Sequence, residues 1–531
     1  MIPSLANCHI FTPIAGQLTF CGDVNLVSIN HLFTRKTGCA IHVAVTVFSN
    51  HTNEVCAVGS MFRLNVKVTV SLCCILAAVP ALAAESLKGA LGRAYVNTPE
   101  LNAQRANVRA VDELVPQALS GYRPRVTATA DVGRNYSETI NPAFTSNSGL
   151  TAGGRSGRRH SSDASSPRGA GLQVDQTLFN GYRTENSTRA AESRILGARE
   201  TLRNTEQTVL LNAATAYMNV LRDTALLNLQ RNNVEVLEEQ LRQTRDRFRV
   251  GEVTRTDVAQ SEARLAQARS QASIAEGNLR ASIATYRQRV GVEPKKLGPA
   301  QPIENLLPKS IDAAVALSQR EHPAIIGSLH GVDAQQLQVK VVQGELAPTV
   351  TLTGALSKRY ESAQSDSESY NASLIARLSV PIYEAGQVYS RVREAKETLG
   401  ERQIQVDQQR DVVRQAVVAS WSGLISAKAQ IVAALAQVAA AEIALAGVRE
   451  EAKVGQRTTL DVLNSQQELL NARVTLVGAQ RDRVVASYNV LAAIGRLSAT
   501  RLALKTETYN PAIHYGQVRD KWIGTTTPDG R

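Results

Sequence analysis

Asp257 and Asp461 stand 204 positions apart in matching surroundings, Val250-Gly251-Glu252-Val253-Thr254-Arg255-Thr256-Asp257-Val258 and Val454-Gly455-Gln456-Arg457-Thr458-Thr459-Leu460-Asp461-Val462. Both segments read V-G-x-x-T-x-x-D-V. A carboxylate three residues after a threonine closes a capping box that starts a helix. A glycine just ahead takes the left-handed conformation that ends one. Each segment therefore forms the tip of an antiparallel helical hairpin, with Thr254, Thr458, Asp257 and Asp461 as caps. Such a carboxylate has a second capability. If several copies of the chain bring their tips together around an axis, the carboxylates form a ring that attracts cations and repels anions. Arg457, four residues before Asp461, has the reach for salt bridges that hold a ring closed.

Catalytic chemistry finds little footing elsewhere. Beyond residue 84 the histidines are His160, His322, His330 and His514, and none forms an i,i+4 metal pair. Gly153-Gly154-Arg155-Ser156-Gly157 lacks the strand-to-helix context of a phosphate loop. There is no G-x-S-x-G. All six cysteines lie before residue 75, so the remainder has no thiol for a nucleophile or a disulfide. The sequence is not that of an enzyme.

The elements that carry the tips are long. Proline is absent from Arg168 to Glu293 and from Ile382 to Asn510, and an interior proline costs a helix about 3 kcal/mol. Leu227, Val234, Leu241 and Phe248 fall seven apart, as do their counterparts Ile431, Val438, Leu445 and Ala452. After the tips, Val258, Leu265, Ala272, Leu279 and Tyr286 match Val462, Leu469, Leu476, Arg483 and Val490, with only Arg483 breaking the series. Sustained sevenfold spacing predicts coiled-coil packing. The stretches Gly181 to Arg249 and Gly386 to Lys453 predict rods of roughly 100 Å at about 1.5 Å per residue. The apolar run Ile431 to Val448 lies inside this heptad pattern and contains Gln437 and Glu442, which makes it a packing face rather than a membrane span.

Upstream, Pro124-Arg125-Val126-Thr127-Ala128-Thr129 corresponds to Pro348-Thr349-Val350-Thr351-Leu352-Thr353, here with an offset of 224. The first copy thus carries about twenty extra residues, in a Ser-, Gly- and Arg-rich segment around Ser137 to Gly169 that reads as an exposed loop. The flanking segments alternate with period two. Val126, Ala128, Ala130 and Val132 oppose Arg125, Thr127, Thr129 and Asp131, and the segments at Leu172, Val350 and Leu374 behave alike. Strands with one small apolar face and one polar face suit either a soluble sheet or a membrane barrel with a wet interior. Four strands close no barrel, since eight is the practical minimum, so a barrel requires several chains.

Two features of the N-terminal region bear on location. Met61, Arg63 and Lys67 precede an apolar run from Val68 to Val79 and the small-residue triplet Ala81-Leu82-Ala83, the form of a secretory signal peptide over residues 61–84. Residues 1–60 lack periodic pattern and read as upstream sequence from a wrongly chosen start codon. Four basic and two acidic residues lie before Ala84, so the net charge of +12 falls to +10 without them. The charges are interspersed and aromatics make up only 4% of the chain, which disfavours nucleic-acid binding and fits solvated helix faces.

Duplicated halves, paired strands, proline-free helices and the two tips together resemble the TolC family of outer-membrane channel-tunnel proteins. Tyr488-Asn489-Val490-Leu491-Ala492-Ala493-Ile494-Gly495-Arg496-Leu497 is a further match, and the resemblance covers about residues 85–500. It implies a mainly α protein with a membrane β-barrel, built from a duplicated strand-helix repeat. The repeats are expected over 85–308, with its tip at 250–258, and over 309–498, with its tip at 454–462, followed by a tail, 499–531. It implies a homotrimer with a trimeric α-barrel and a shared twelve-stranded β-barrel in the outer-membrane lipid of a Gram-negative bacterium, spanning into the periplasm. The function implied is the exit duct of an efflux or type I secretion system, passing secreted proteins or small toxic compounds. Its partners would be a periplasmic adaptor and an inner-membrane pump of the ABC or resistance-nodulation-division type. Adaptor docking falls on Val250, Gly251, Thr254, Val454, Gly455 and Thr458, and the pore constriction on Asp257, Arg457 and Asp461. The family's tyrosine at the lock is Ala452 here, and its second carboxylate is Asn464. A periplasmic adaptor or a coiled-coil scaffold is the alternative, but an adaptor usually has one hairpin rather than two equivalent ones.

Overall fold

The computed structural model describes residues 85–141, 159–361 and 366–530; the expected upstream segment, the signal peptide and the middle of the extended loop lie outside them. Three short helices open this part of the chain: α1 (Leu87–Asn97), α2 (Pro99–Asp112) and α3 (Leu114–Leu119). Strands β1 (Arg125–Val132), β2 (Asn135–Asn141), β3 (Arg159–Ser165) and β4 (Arg168–Phe179) follow, then α4 (Arg183–Arg249) and α5 (Arg255–Val290). The second half repeats the order with α6 (Ile311–Glu321), α7 (Pro323–Gln343), β5 (Thr349–Tyr360), β6 (Glu368–Ser379), α8 (Gln387–Lys453) and α9 (Thr459–Ile494). A short α10 (Pro511–Val518) lies in the tail.

The duplication is close in length. Helices α4 and α8 each have 67 residues, and α5 and α9 each have 36. At 1.5 Å per residue the longer pair spans about 100 Å. Helix α4 packs along α5, and α8 along α9. Near the first tip the seam is closed by Leu237, Leu241, Leu265 and Ala268; near the second, by Leu445, Val462 and Leu469. These include members of the expected heptads. Arg483, the break in the pattern, turns to the segment between the halves, where its Nε lies 2.9 Å from Glu304 Oε1. The main core lies at the other end of the hairpins, where α1 and α2 meet α4, α5 and α9 around Tyr217, Tyr286 and Tyr488.

The four expected strands form one antiparallel sheet in the order β1-β4-β5-β6. Its register puts Val126, Val174, Gly354 and Leu374 in one cross-strand row, and Ala128, Leu172, Leu356 and Ala372 in another. Thr127, Gln173, Ala355 and Ser373 form a row between them, on the opposite face. Because side chains alternate along a strand, one face is apolar through these rows and the other largely polar. The apolar face gives way to Lys358, Arg168 and Glu368 at the end of the sheet far from the helices. Every residue of β1 is exposed, so neither face is covered by the protomer's own helices there. β1 and β6 are the open edges, consistent with a barrel completed by other copies.

Two local results differ from the sequence reading. The segment read as an exposed loop contains a ladder, β2 with β3, from Asn135↔Ser165 to Asn141↔Arg159. It prolongs the hairpin of β1 and β4, and its serine-rich β3 carries no apolar alternation by which to detect it. The apolar stretch of α8 is continuous helix, yet little of it is buried within the protomer. One side packs on α9; Val432, Leu435 and Ile443 remain exposed, a face left for another copy.

Candidate functional site: the paired hairpin tips

Each tip is a Schellman motif joined to a capping box by one residue. At the first, Glu252 N–H donates to Arg247 O at 2.9 Å and Gly251 N–H to Phe248 O at 3.0 Å. At the second, Gln456 N–H donates to Glu451 O at 3.0 Å and Gly455 N–H to Ala452 O at 3.3 Å. This pairing satisfies the last carbonyls of a helix and needs a left-handed residue at the turn. Gly251 and Gly455 supply it with φ of 83° and 77°. A Cβ built on either glycine meets nothing within 4 Å, so the backbone conformation, not crowding, selects glycine in the protomer.

The next helices start as expected. Thr254 Oγ1 accepts from Asp257 N–H at 3.3 Å while Asp257 Oδ2 accepts from Thr254 N–H at 2.9 Å. Thr458 and Asp461 repeat this at 3.2 and 3.0 Å. The Thr458 N–H and hydroxyl hold the Asp461 carboxyl below the usual carboxylate range, and the Arg457 charge adds to the effect. The bonds donated by the N–H and hydroxyl of Thr254 and Thr458 all converge on Oδ2 of the aspartate.

Arg457 is placed differently from the simplest expectation. Within the protomer its Nε bonds Glu451 Oε2 at 2.8 Å, and that bond, ahead of the charges of Glu451 and Asp461, holds the guanidinium above its ordinary value. At the first tip Arg247 Nε bonds Glu252 Oε2 at 2.7 Å. Sequence reasoning missed Glu451, Arg247 and Glu252, because residues five or six apart share no helix face. A Schellman turn brings them together.

Val250 and Val454, the expected docking residues ahead of the glycines, are each 73% exposed. The two hairpins meet just above the tips. Leu463 of α9, almost fully buried, enters the cluster of Leu237, Leu241, Leu265 and Ala268, and Arg264 donates to Asn464 Oδ1 at 2.9 Å. Beside this contact lies a polar cavity of about 270 Å³ whose lining includes Gln230, Asn233, Gln267, Gln271 and Gln466. Gln230 Oε1 and Gln466 Oε1 are buried without a hydrogen-bond partner. Each hairpin is thus zipped by apolar residues, whereas the seam between hairpins near the tips combines the Leu463 contact with an amide-rich cavity.

The profile of outer membrane efflux proteins matches residues 90–292 and 315–496. The chain belongs to the outer membrane efflux protein family. Within that family it is similar to the outer membrane efflux protein BepC of Brucella suis, 40% identical over 84% of this chain and 93% of the relative. It is also similar to the outer membrane protein TolC of Escherichia coli, 26% identical over 78% of this chain and 83% of TolC. Among solved structures, the CmeC outer membrane channel of Campylobacter jejuni superposes with a TM-score of 0.66 at 17% identity, covering 82% of this chain and 89% of CmeC. This outer membrane efflux protein is accordingly an exit duct in the outer membrane of a Gram-negative bacterium, with the channel fold of its family. Its family is one of outer membrane efflux proteins, and the structures that share its fold include outer membrane channels.

Proposed function

We propose that the paired tips are the periplasmic gate of the duct and the place where an adaptor docks. The observation that carries this reading is the identical construction of the two tips, with carboxylates, exposed valines and open glycines in equivalent places. Three protomers supply twelve strands to one barrel and close the uncovered face of α8 against a neighbour. Their tips then lie around the axis, with Asp257 and Asp461 at the mouth. Capping occupies Oδ2 of each aspartate, and the second oxygen retains charge for passing cations or for a neighbour's arginine. Arg457 holds the mouth closed by exchanging between Glu451 of its own hairpin and carboxylates across the interface.

Opening requires one hairpin to move against the other. The amide-rich cavity near the tips suits this, because glutamine and asparagine groups that separate are satisfied by water. That leaves the Leu463 contact as the apolar surface to be exposed there, at about 25 cal/mol per Å². Val250, Gly251 and Thr254, with Val454, Gly455 and Thr458, form two equivalent grooves for the tip of an adaptor hairpin. Either an ABC or a resistance-nodulation-division pump fits behind such an adaptor. The first repeat is pinned from its start: Glu85 N–H donates to Lys296 O at 2.7 Å and Tyr217 Oη donates to Glu85 O at 2.7 Å. That anchorage suits removal of residues 61–84 on export. Recordings of single channels with and without substitutions at Arg457 and Asp257 test the gate; an adaptor pull-down with substituted glycines tests the docking surface.

A further inference from the structure

The tail after α9 is a docked structure. Tyr509 N–H donates to Tyr95 Oη at 3.0 Å. His514 Nδ1 lies 3.0 Å from Oδ2 of Asp112, which is fully buried. Arg109 Nε lies 3.6 Å from Asp529. These contacts, with Tyr515 Oη donating to Glu192 of α4 at 3.4 Å, lay the tail along α2 and α4, and they bring its end to the root of the sheet. Arg123, two residues before β1, donates to Lys521 O at 2.8 Å, and its guanidinium sits 4.6 Å from the centre of the Trp522 ring. Trp522 and Ile523 are nonetheless 66% and 89% exposed.

All the joints between strands and helices lie at this same, periplasmic end of the sheet. Exposed aromatic side chains gather there from both repeats: Tyr122 before β1, Phe179 and Tyr182 between β4 and α4, and Tyr383 after β6. Amphipathic rings concentrate at the headgroup level of a membrane protein, and barrels carry girdles of them. We propose that the C-terminal tail is a phospholipid-binding foot, with Trp522 and Ile523 seated in the headgroup layer of the outer membrane's periplasmic leaflet. The inference rests on the membrane placement of the strands. Trp522 extends the aromatic girdle from a segment that is not part of the barrel. Arg123 and Lys521 stand beside it, the first stacked on the ring and the second bonded to Thr526 O, each with further N–H donors for lipid phosphates. A protein partner is the weaker fit, since Trp522 and Ile523 lie beside the rim of the sheet and form no heptad face.

The chain has two tryptophans, Trp421 and Trp522, which makes the test direct. The full mature chain carrying Trp421→Phe is reconstituted into phosphatidylethanolamine–phosphatidylglycerol vesicles, with bromine placed either shallow or deep on the acyl chains. The expected result is a blue-shifted emission quenched by shallow bromine more than by deep bromine, and shielded from aqueous iodide. Quenching by iodide but not by brominated lipid overturns the proposal, as does quenching by neither, which places the ring against protein. A companion variant, Trp421→Phe/Trp522→Phe/Leu374→Trp, puts the reporter on the apolar face of β6. Quenching there by deep bromine, with none at Trp522, rejects the foot and keeps the barrel. No quenching at either position rejects both.

Discussion

Arg457 Nε and Glu451 Oε2 lie 2.8 Å apart, tying the loop of the second tip to the last turns of α8. The first tip holds the same kind of clasp with its charges exchanged: Arg247 on the helix meets Glu252 in the loop at 2.7 Å. Duplication has kept the clasp while reversing its polarity, so the two tips present different charges at one level. Only the second carries an arginine, Arg457, between its two helices.

The docking surface is tested by separating strain from bulk. Gly251→Ala and Gly455→Ala force a Cβ into a left-handed residue at about 1–2 kcal/mol each, with open space around them. These variants are expected to export nearly normally. Gly251→Trp and Gly455→Trp are expected to abolish export and adaptor capture while trimers still reach the outer membrane. Export that persists with both tryptophans in place removes the docking assignment.

Asp461→Asn keeps a capping acceptor and deletes the charge. Cation selectivity in planar bilayers is expected to fall, and block by multivalent cations to weaken, with assembly unchanged. Block is expected to be modest even in the unmodified channel, because Asn464, bonded to Arg264, replaces the second carboxylate that the family resemblance implies. Identical selectivity in the two forms would reduce Asp461 to a cap.

Acid weakens the joint between α6 and α7. Burial pushes His322 from 6.5 down to about 4, and its neutral Nδ1 accepts Ala324 N–H at 3.1 Å. The unfolded chain therefore takes up the proton first, so stability is full above pH 6.5 and declines as the pH falls towards 4. The decline from this residue is about 3 kcal/mol at most. Thermal unfolding followed across this range is expected to show it. His322→Asn, which retains an N-cap acceptor, should flatten the profile; an equally steep profile would place the titration elsewhere.

Much of this was legible in the chain. The capping boxes, the left-handed glycines, the long helices and the four barrel strands each have a local signature, in a fixed spacing of three, seven or two. What escaped lacks one. Arg123 and Trp522 are far apart in the sequence and meet only because the tail folds back along α2 and α4. Glu451 and Arg457 share no helix face and meet through a turn. The β2–β3 ladder is held by backbone bonds beneath polar side chains, and composition made it look like loop. The cavity at Gln466 belongs to the seam between hairpins, which no single helix reveals.

The gate is the central claim, and conductance reads it most directly. The double variant Arg457→Ser/Asp257→Ala removes both charges that would hold the mouth closed. Arg457 sits in a solvent-screened position and Asp257→Ala removes one capping acceptor, so fold stability should fall by only about 1 kcal/mol. Recorded as single channels in planar bilayers, the double variant is expected to show a severalfold larger conductance than the unmodified protein. An unchanged conductance would contradict a charge-locked mouth at the tips.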